Sequence, residues 1–264
     1  MLLLSSLFTP AATPQHRQPH PVRPIPVNFY GLLIYAARAF AVFALIWLAL
    51  RIWRQFRMAT IRKEPIPAPI RDVVAPEAGY EAGETQTAVL AGGCFWGAQS
   101  VFQRVKGVLK TTVGYSGGAE ETANYREVCG ESTGHAEAIE IVFDPSKVTY
   151  GTLLRIFFSV FHDPTQLNRQ GADIGTSYRS AIFYTTPEQQ EVAQAYIAQL
   201  DAAHIFDKPI VTQLVPLVAF YRGEDYHQDY AMKNPNNPYI QVCDIPKIGA
   251  LQQQFPALFT EYTR

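Results

Sequence analysis

The residues best equipped for chemistry in this chain sit in one short run, Gly92-Gly93-Cys94-Phe95-Trp96-Gly97. The β-rich stretch Thr85–Ala91 leads into two glycines. Cys94 then opens a segment in which Phe95, Ala98, Val101, Phe102 and Val105 recur at helical spacing. A cysteine at the first turn of a helix meets unpaired N–H groups and the positive end of the helix dipole. Both favour the thiolate, so the expectation is a lowered pKa and a reactive nucleophile. The opposing reading is a buried cysteine acting as a small apolar side chain. A second chemical candidate lies in His135–Phe143, where Glu137 alternates in phase with Ile139, Ile141 and Phe143. A carboxyl on an apolar strand face loses hydration, which raises its pKa and suits it to give up a proton near neutral pH. The same parity is met by a Glu at the strand end in water, so both placements stand at this point. His135 and Glu137 are also close enough to suggest a base and its orienter for a cysteine hydrolase or acyl transferase. Side chains at i and i+2 stand side by side on a strand, however, and make a poor relay.

Around these residues strands and helices interleave. Val108–Tyr115 reads as a strand ending at Ser116-Gly117-Gly118, and Asp144-Pro145 ends the strand that carries Glu137. Thr149–His162 is amphipathic and helical, Arg179–Thr185 is a strand, and Thr186-Pro187-Glu188 caps a further helix. Ile210–Val215 is a late strand. The expected fold class is α/β (α+β), a two-layer sheet with helices packed on it.

The N-terminal region has another character. Residues 1–63 carry eight basic residues and no acidic one, leaving 14 of the 22 basic residues against all 23 acidic ones in the remainder. The acidic part lacks the basic footprint of a nucleic-acid binder. Residues 1–28 are Pro-rich without apolar periodicity and read as a disordered leader. Residues 29–53 hold a long apolar run, interrupted by Arg38 and followed by Arg51, Arg54 and Arg57. One reading is a transmembrane helix tethering a cytoplasmic catalytic domain to the inner membrane by the positive-inside rule. The other is a mis-called start upstream of Met58. Residues 54–84, basic and then Pro-rich, read as a linker, which leaves 85–264 as the catalytic domain. Three scattered cysteines (Cys94, Cys129, Cys243) fit neither a disulfide scaffold nor a CxxC zinc site, and the histidines lack ligand spacing. No metal or organic cofactor is expected, and three unpaired thiols suit a reducing compartment.

GGCFWG resembles the nucleophile motif of the A-type peptide methionine sulfoxide reductases. VGYSGG (113–118), NYREVCGESTGHAEAI (124–139), HDPTQLNRQGADIGTSYRSAIF (162–183) and YHQDYAMKNPNNPY (226–239) are similar to that family in the same order, over about residues 86–258. The resemblance implies a ferredoxin-like two-layer sandwich and reduction of methionine (S)-sulfoxide, in proteins and free, to methionine. It implies Cys94 as nucleophile and Glu137 as proton donor, with the hydroxyls of Tyr125 and Tyr178 on the sulfoxide oxygen. Asp173 would hold a water or hydroxyl, and Phe95 and Trp96 would cradle the S-methyl group. By themselves the two tyrosines are equally ordinary aromatics in polar loops, Asp173 a turn residue, and Phe95 and Trp96 core. The resemblance also implies a sulfenic acid on Cys94, recycled either by a second thiol or by direct attack of an external reductant, with thioredoxin as that reductant. Many members carry that thiol in a Gly-rich tail directly after a Pro-Tyr pair. Here Ile240 follows Pro238-Tyr239 and the nearby thiol is Cys243, in a tail without those glycines. Cys129 is expected to be structural, and so is His135, as a hydrogen-bonding neighbour of Glu137. A monomer is expected. A membrane-tethered domain that binds oxidised methionine without turnover is the rival outside enzymology.

Overall fold

The computed structural model describes residues 29–58, 64–72 and 84–262. The helix α1 (Phe29–Met58) belongs to a first compact unit as far as Trp53, and a second unit starts at Arg54. The sequence expectation of a membrane-spanning segment over 29–53 is not supported: among the described residues no helix is long and apolar enough to cross a membrane. Arg38 breaks the apolar run and Arg51 closes it, so the charge-free stretch between them falls short of the roughly 20 residues a bilayer requires. The leader expected over 1–28 lies outside the described residues.

The second body is built around a six-stranded sheet in the order β7-β6-β1-β3-β2-β8. In chain order its elements are β1 (Gln86–Ala91), α2 (Phe95–Phe102), β2 (Val108–Ser116), α3 (Tyr125–Val128), β3 (Ala136–Phe143) and α4 (Tyr150–Ile156). After these come a small ribbon, β4 (Arg169–Gln170) and β5 (Asp173–Ile174), then β6 (Ala181–Tyr184) and α5 (Pro187–Ala202). The chain ends with β7 (Gln213–Pro216), β8 (Phe220–Arg222), α6 (Tyr230–Lys233) and α7 (Ile245–Gln254). The central four strands follow one another as β6-β1-β3-β2, all antiparallel. With α2 and α4 as the crossing helices, this is the βαββαβ pattern of the expected ferredoxin-like sandwich. β7 extends the sheet in parallel beside β6, and β8 adds an antiparallel edge beside β2.

Alternation explains the sheet. On β3, Glu137, Ile139, Ile141 and Phe143 are all buried, while Glu140 and Val142 on the other parity are partly open. The helices bury their apolar stripes on one sheet face, where Leu90, Ile139, Ile182, Phe102, Leu153 and Phe157 meet in the main core. The segment Thr149–His162 is helical as its pattern predicts, but it passes from α4 into a π-helical stretch, Phe157–Phe161. Its four aromatic or apolar residues are all buried with Ser159 between them.

Residues 64–72 depart from the linker expectation. Ile66 is 1% exposed and belongs to the main core. Arg155 Nε donates to Ile66 O, Tyr196 Oη to Pro67 O and Gln199 Nε2 to Ala68 O, while Asp72 accepts from Thr149 Oγ1 and Gly151 N. A Pro-rich strand-like segment cannot satisfy its carbonyls within itself, and here α4 and α5 supply the donors. The segment is a strap across those two helices.

Candidate active site

Cys94 is the N-cap of α2, on the turn made by Gly92 and Gly93, and is 8% exposed. Gly93 has φ +117, a left-handed conformation that favours glycine. Gly92 allows no side chain for another reason: a Cβ there would meet the His162 ring at 2.9 Å. The glycines of the motif are thus set by backbone conformation and close packing.

Beside the cysteine, Glu137 is 3% exposed, and its Oε2 accepts the Phe95 backbone N–H at 3.0 Å. The strand therefore places Glu137 at the first turn of α2, in the interior and away from bulk water. Burial pushes its pKa up to about 8, Asp173 and Glu131 add to the shift, and the Phe95 N–H opposes it. A carboxyl that holds its proton at neutral pH is the group the sequence reading required.

The cysteine departs from expectation. Burial pushes the Cys94 thiol well above its ordinary value, and the charges of Glu137 and Asp244 push it further. The Trp96 backbone N–H and Lys247 favour the thiolate and only partly offset this. The helix-terminus effect is present with the expected sign. It is outweighed because the sulfur is closed off from water and faces two carboxyls. An ionised Glu137 thus raises the proton affinity of Cys94.

The aromatic residues converge on the same place. Cys94, Phe95, Val113, Tyr115 and Val128 form one apolar cluster, and Trp96, Tyr125, Tyr178 and Tyr239 pack against it. Trp96 stacks on Tyr230 at 3.8 Å, meets Tyr239 edge-on at 6.1 Å and donates its indole N–H to His227 Nδ1 at 3.1 Å. Tyr178 sits on a short turn, Thr176–Tyr178, tied down by Glu131, whose carboxylate accepts from Ser177 N, Ser177 Oγ and Thr176 Oγ1. Tyr125 opens α3 behind the N-cap Asn124, and its backbone N–H donates to Glu224 Oε1 at 2.8 Å. Burial raises the pKa of both phenols, and the Glu137 charge adds to it in each case, so both stay protonated donors. Asp173, the last of the expected set, accepts Tyr239 Oη at 2.6 Å.

All the expected catalytic and substrate-binding residues except Cys243 are thus linked through one cluster by contact or charge. Cys243 is half-buried in the π-helical turn Ile240–Asp244 that leads into α7, a turn packed beside α2. None of the three cysteines forms a disulfide, and Cys129 is exposed. Cys129 lies near enough to the Tyr125 hydroxyl to help raise the pKa of that phenol, after burial. His135 is occupied by backbone: Nδ1 accepts from Gly118 N at 3.2 Å and Nε2 donates to Ala119 O at 2.9 Å. Both ring nitrogens being used, it can serve neither as base to Cys94 nor in the hydrolase relay. Sequence reasoning missed Tyr239, His227, Glu131, Glu224 and Asp244. The first three lie inside the long motifs, which is the signal that could have found them. Glu224 stands just before one, and Asp244 lies in the tail.

The family model described as peptide methionine sulfoxide reductase matches residues 86–257. The Synechocystis peptide methionine sulfoxide reductase MsrA 2 is 55% identical over 190 residues, covering 72% of this chain and 88% of that protein. The Deinococcus radiodurans enzyme MsrA is 47% identical over 178 residues, covering 67% and 86%. Among solved structures, reduced Mxr1 from Saccharomyces cerevisiae matches with a TM-score of 0.56 and 31% identity, over 62% of this chain and 93% of that one. Methionine sulfoxide reductase A of Corynebacterium diphtheriae matches with a TM-score of 0.50 and 36% identity, over 67% and 89%.

Proposed function

The chain belongs to the peptide methionine sulfoxide reductase family, and from that premise we propose which of its residues reduce methionine (S)-sulfoxide, in proteins or free. The single observation that carries the assignment is a buried thiol and a buried, protonated carboxyl placed together at the first turn of α2.

Cys94 Sγ attacks the sulfoxide sulfur. Glu137 gives its proton to the sulfoxide oxygen and takes the thiol proton in exchange. The relay supplies a thiolate only when a sulfoxide is there to receive a proton, which accommodates the raised pKa of the free thiol. Tyr125 and Tyr178 donate hydrogen bonds to the oxygen as negative charge gathers on it. Asp173, held by Tyr239, orders a water or hydroxyl beside them. Phe95 and Trp96 enclose the S-methyl group, and Tyr230 and His227 fix the indole from behind. Glu137 then protonates the departing oxygen again, which leaves as water, and a water held by Asp173 attacks Cys94 Sγ. The Sγ–S bond breaks, methionine leaves as the thioether, Cys94 carries a sulfenic acid and the proton of the attacking water returns to Glu137.

Recycling falls to Cys243. Its thiol condenses with the sulfenic acid to give a Cys94–Cys243 disulfide and water. A dithiol protein of the thioredoxin class then reduces that disulfide by exchange. Cys243 starts from a helical turn, so this step requires the turn Ile240–Asp244 to open.

The test is turnover of a methionine (S)-sulfoxide peptide with dithiothreitol, followed by peptide mapping of enzyme oxidised by substrate without reductant. The wild-type chain is expected to release methionine, and Cys94→Ser to release none while keeping the wild-type melting curve. A Cys94–Cys243 cross-link is expected in the map. Full activity in Cys94→Ser would remove the nucleophile assignment, and a map without that cross-link would remove Cys243 from the cycle.

A further inference from the structure

Asp244 is fully buried, and its Oδ2 has no hydrogen-bond partner. Oδ1 pairs with Lys247 Nζ at 3.4 Å, and the lysine side chain is itself only 13% exposed, with its ammonium 4.9 Å from the centre of the Phe161 ring. Both groups press on α2. A Cβ on Gly97 would run into Asp244 Oδ1 and come within 2.7 Å of Lys247 Nζ. Gly97 belongs to the turn that Cys94 caps, its N–H donating to Cys94 O at 3.2 Å. The glycine at the end of GGCFWG therefore makes room for an ion pair.

Helix stability does not explain the lysine. Lys247 follows directly on the π-helical turn Ile240–Asp244, inside a continuous helical run, so no helix C-terminus calls for a cation there. Nor does an ion pair taken out of water add much net stability, because desolvation consumes most of the attraction. What the placement does accomplish is to set one anion and one cation beside the turn that presents the nucleophile.

We infer that the Asp244–Lys247 pair is a positioning pair that acts through Cys94, setting how readily the thiol gives up its proton. The inference rests on Cys94 as the nucleophile and adds what tunes it. Other titratable groups around the sulfur are Glu137 on β3 and the phenols Tyr125, Tyr178 and Tyr239. Lys247 is the cation that favours the thiolate, and Asp244 opposes it. By holding the lysine close, Asp244 places the cation and at the same time restrains its effect.

The test measures the rate of Cys94 alkylation by iodoacetamide against pH in the full chain. Peptide-level mass spectrometry separates Cys94 from Cys129 and Cys243. Asp244→Asn leaves the cation unopposed and is expected to lower the apparent pKa of Cys94 by about one unit. Adding Lys247→Met to that variant is expected to bring the value back towards wild type, and Lys247→Arg alone to leave it nearly unchanged. If Asp244→Asn loses its cooperative melt, Asp244→Ser carries the same expectation. An unchanged or raised value on removing Asp244, or a double variant that titrates with the single one, overturns the inference. Alkylation reads Cys94 without any sulfoxide, so its outcome is separate from turnover of the wild-type chain on methionine sulfoxide.

Discussion

Glu137 shows how one side chain converts position into chemistry. Its carboxyl has a pKa near 8 because β3 holds it out of water, with the Phe95 N–H as its described hydrogen-bond donor. The acid form is therefore present below about pH 8 and lost above it, so kcat should fall as pH rises through that value. Glu137→Gln should lower kcat by about 100-fold or more and remove that alkaline limb, read from pH profiles on a sulfoxide peptide. Stability has a related slope. Between the ordinary value of 4.5 and about 8, the fold keeps a proton that the unfolded chain has released. Stability therefore declines as pH rises across that window, and the Gln variant should lack this contribution in urea melts at pH 5 and 8. Glu137 could be found in the sequence because period-two alternation put it in phase with three apolar residues. The sign of the Cys94 shift could not. Local sequence reports the helix terminus, whereas the burial that outweighs it, and then the charges of Glu137 and Asp244, are brought to the sulfur by tertiary packing. Tyr239 was hidden in the same way, since its hydroxyl meets Asp173 across 66 residues.

At the scale of elements, β1, β2, β3, β6, β7 and the helices α2, α4 and α5 were legible in the sequence, whereas the β4–β5 ribbon, the edge strand β8 and α7 were not read. α5 follows the helical pattern closely, with Thr186 capping it and accepting from Gln189 N, while β2 runs one residue past its expected end at Tyr115 and buries its last five residues on both faces. Two elements had no period to read. The π-helical turns Phe157–Phe161 and Ile240–Asp244 differ from α-helix by one residue of hydrogen-bond offset, which composition does not encode. The strap 64–72 reads as linker because prolines punctuate it, yet the carbonyls of Ile66, Pro67 and Ala68 and the Ile70 N–H bond to side chains of α4 and α5. Its anchor is Ile66. Ile66→Ala should destabilise the body by about 3 kcal/mol through lost burial and the cavity left behind. Chemical denaturation of the two chains side by side measures it. A difference under about 0.5 kcal/mol, the usual range for surface changes, would mean that the strap is ornamental.

The whole molecule divides between a catalytic body and an N-terminal helix that lies outside the family match. A chain starting at Glu64 should therefore keep the activity of the full chain on free methionine sulfoxide, whereas one starting at Glu84 should lose stability with the strap. Specific activity and melting temperature of the two truncations check both halves. The fold class was readable at this scale because strand and helix order follow the chain, while the strap's membership in the body was not. The closed-in neutral sulfur has a consequence for survival of the enzyme. Hydrogen peroxide oxidises thiolates far faster than thiols. A catalyst whose sulfur stays protonated until its proper target arrives is spared irreversible damage during the oxidant bursts that create its workload.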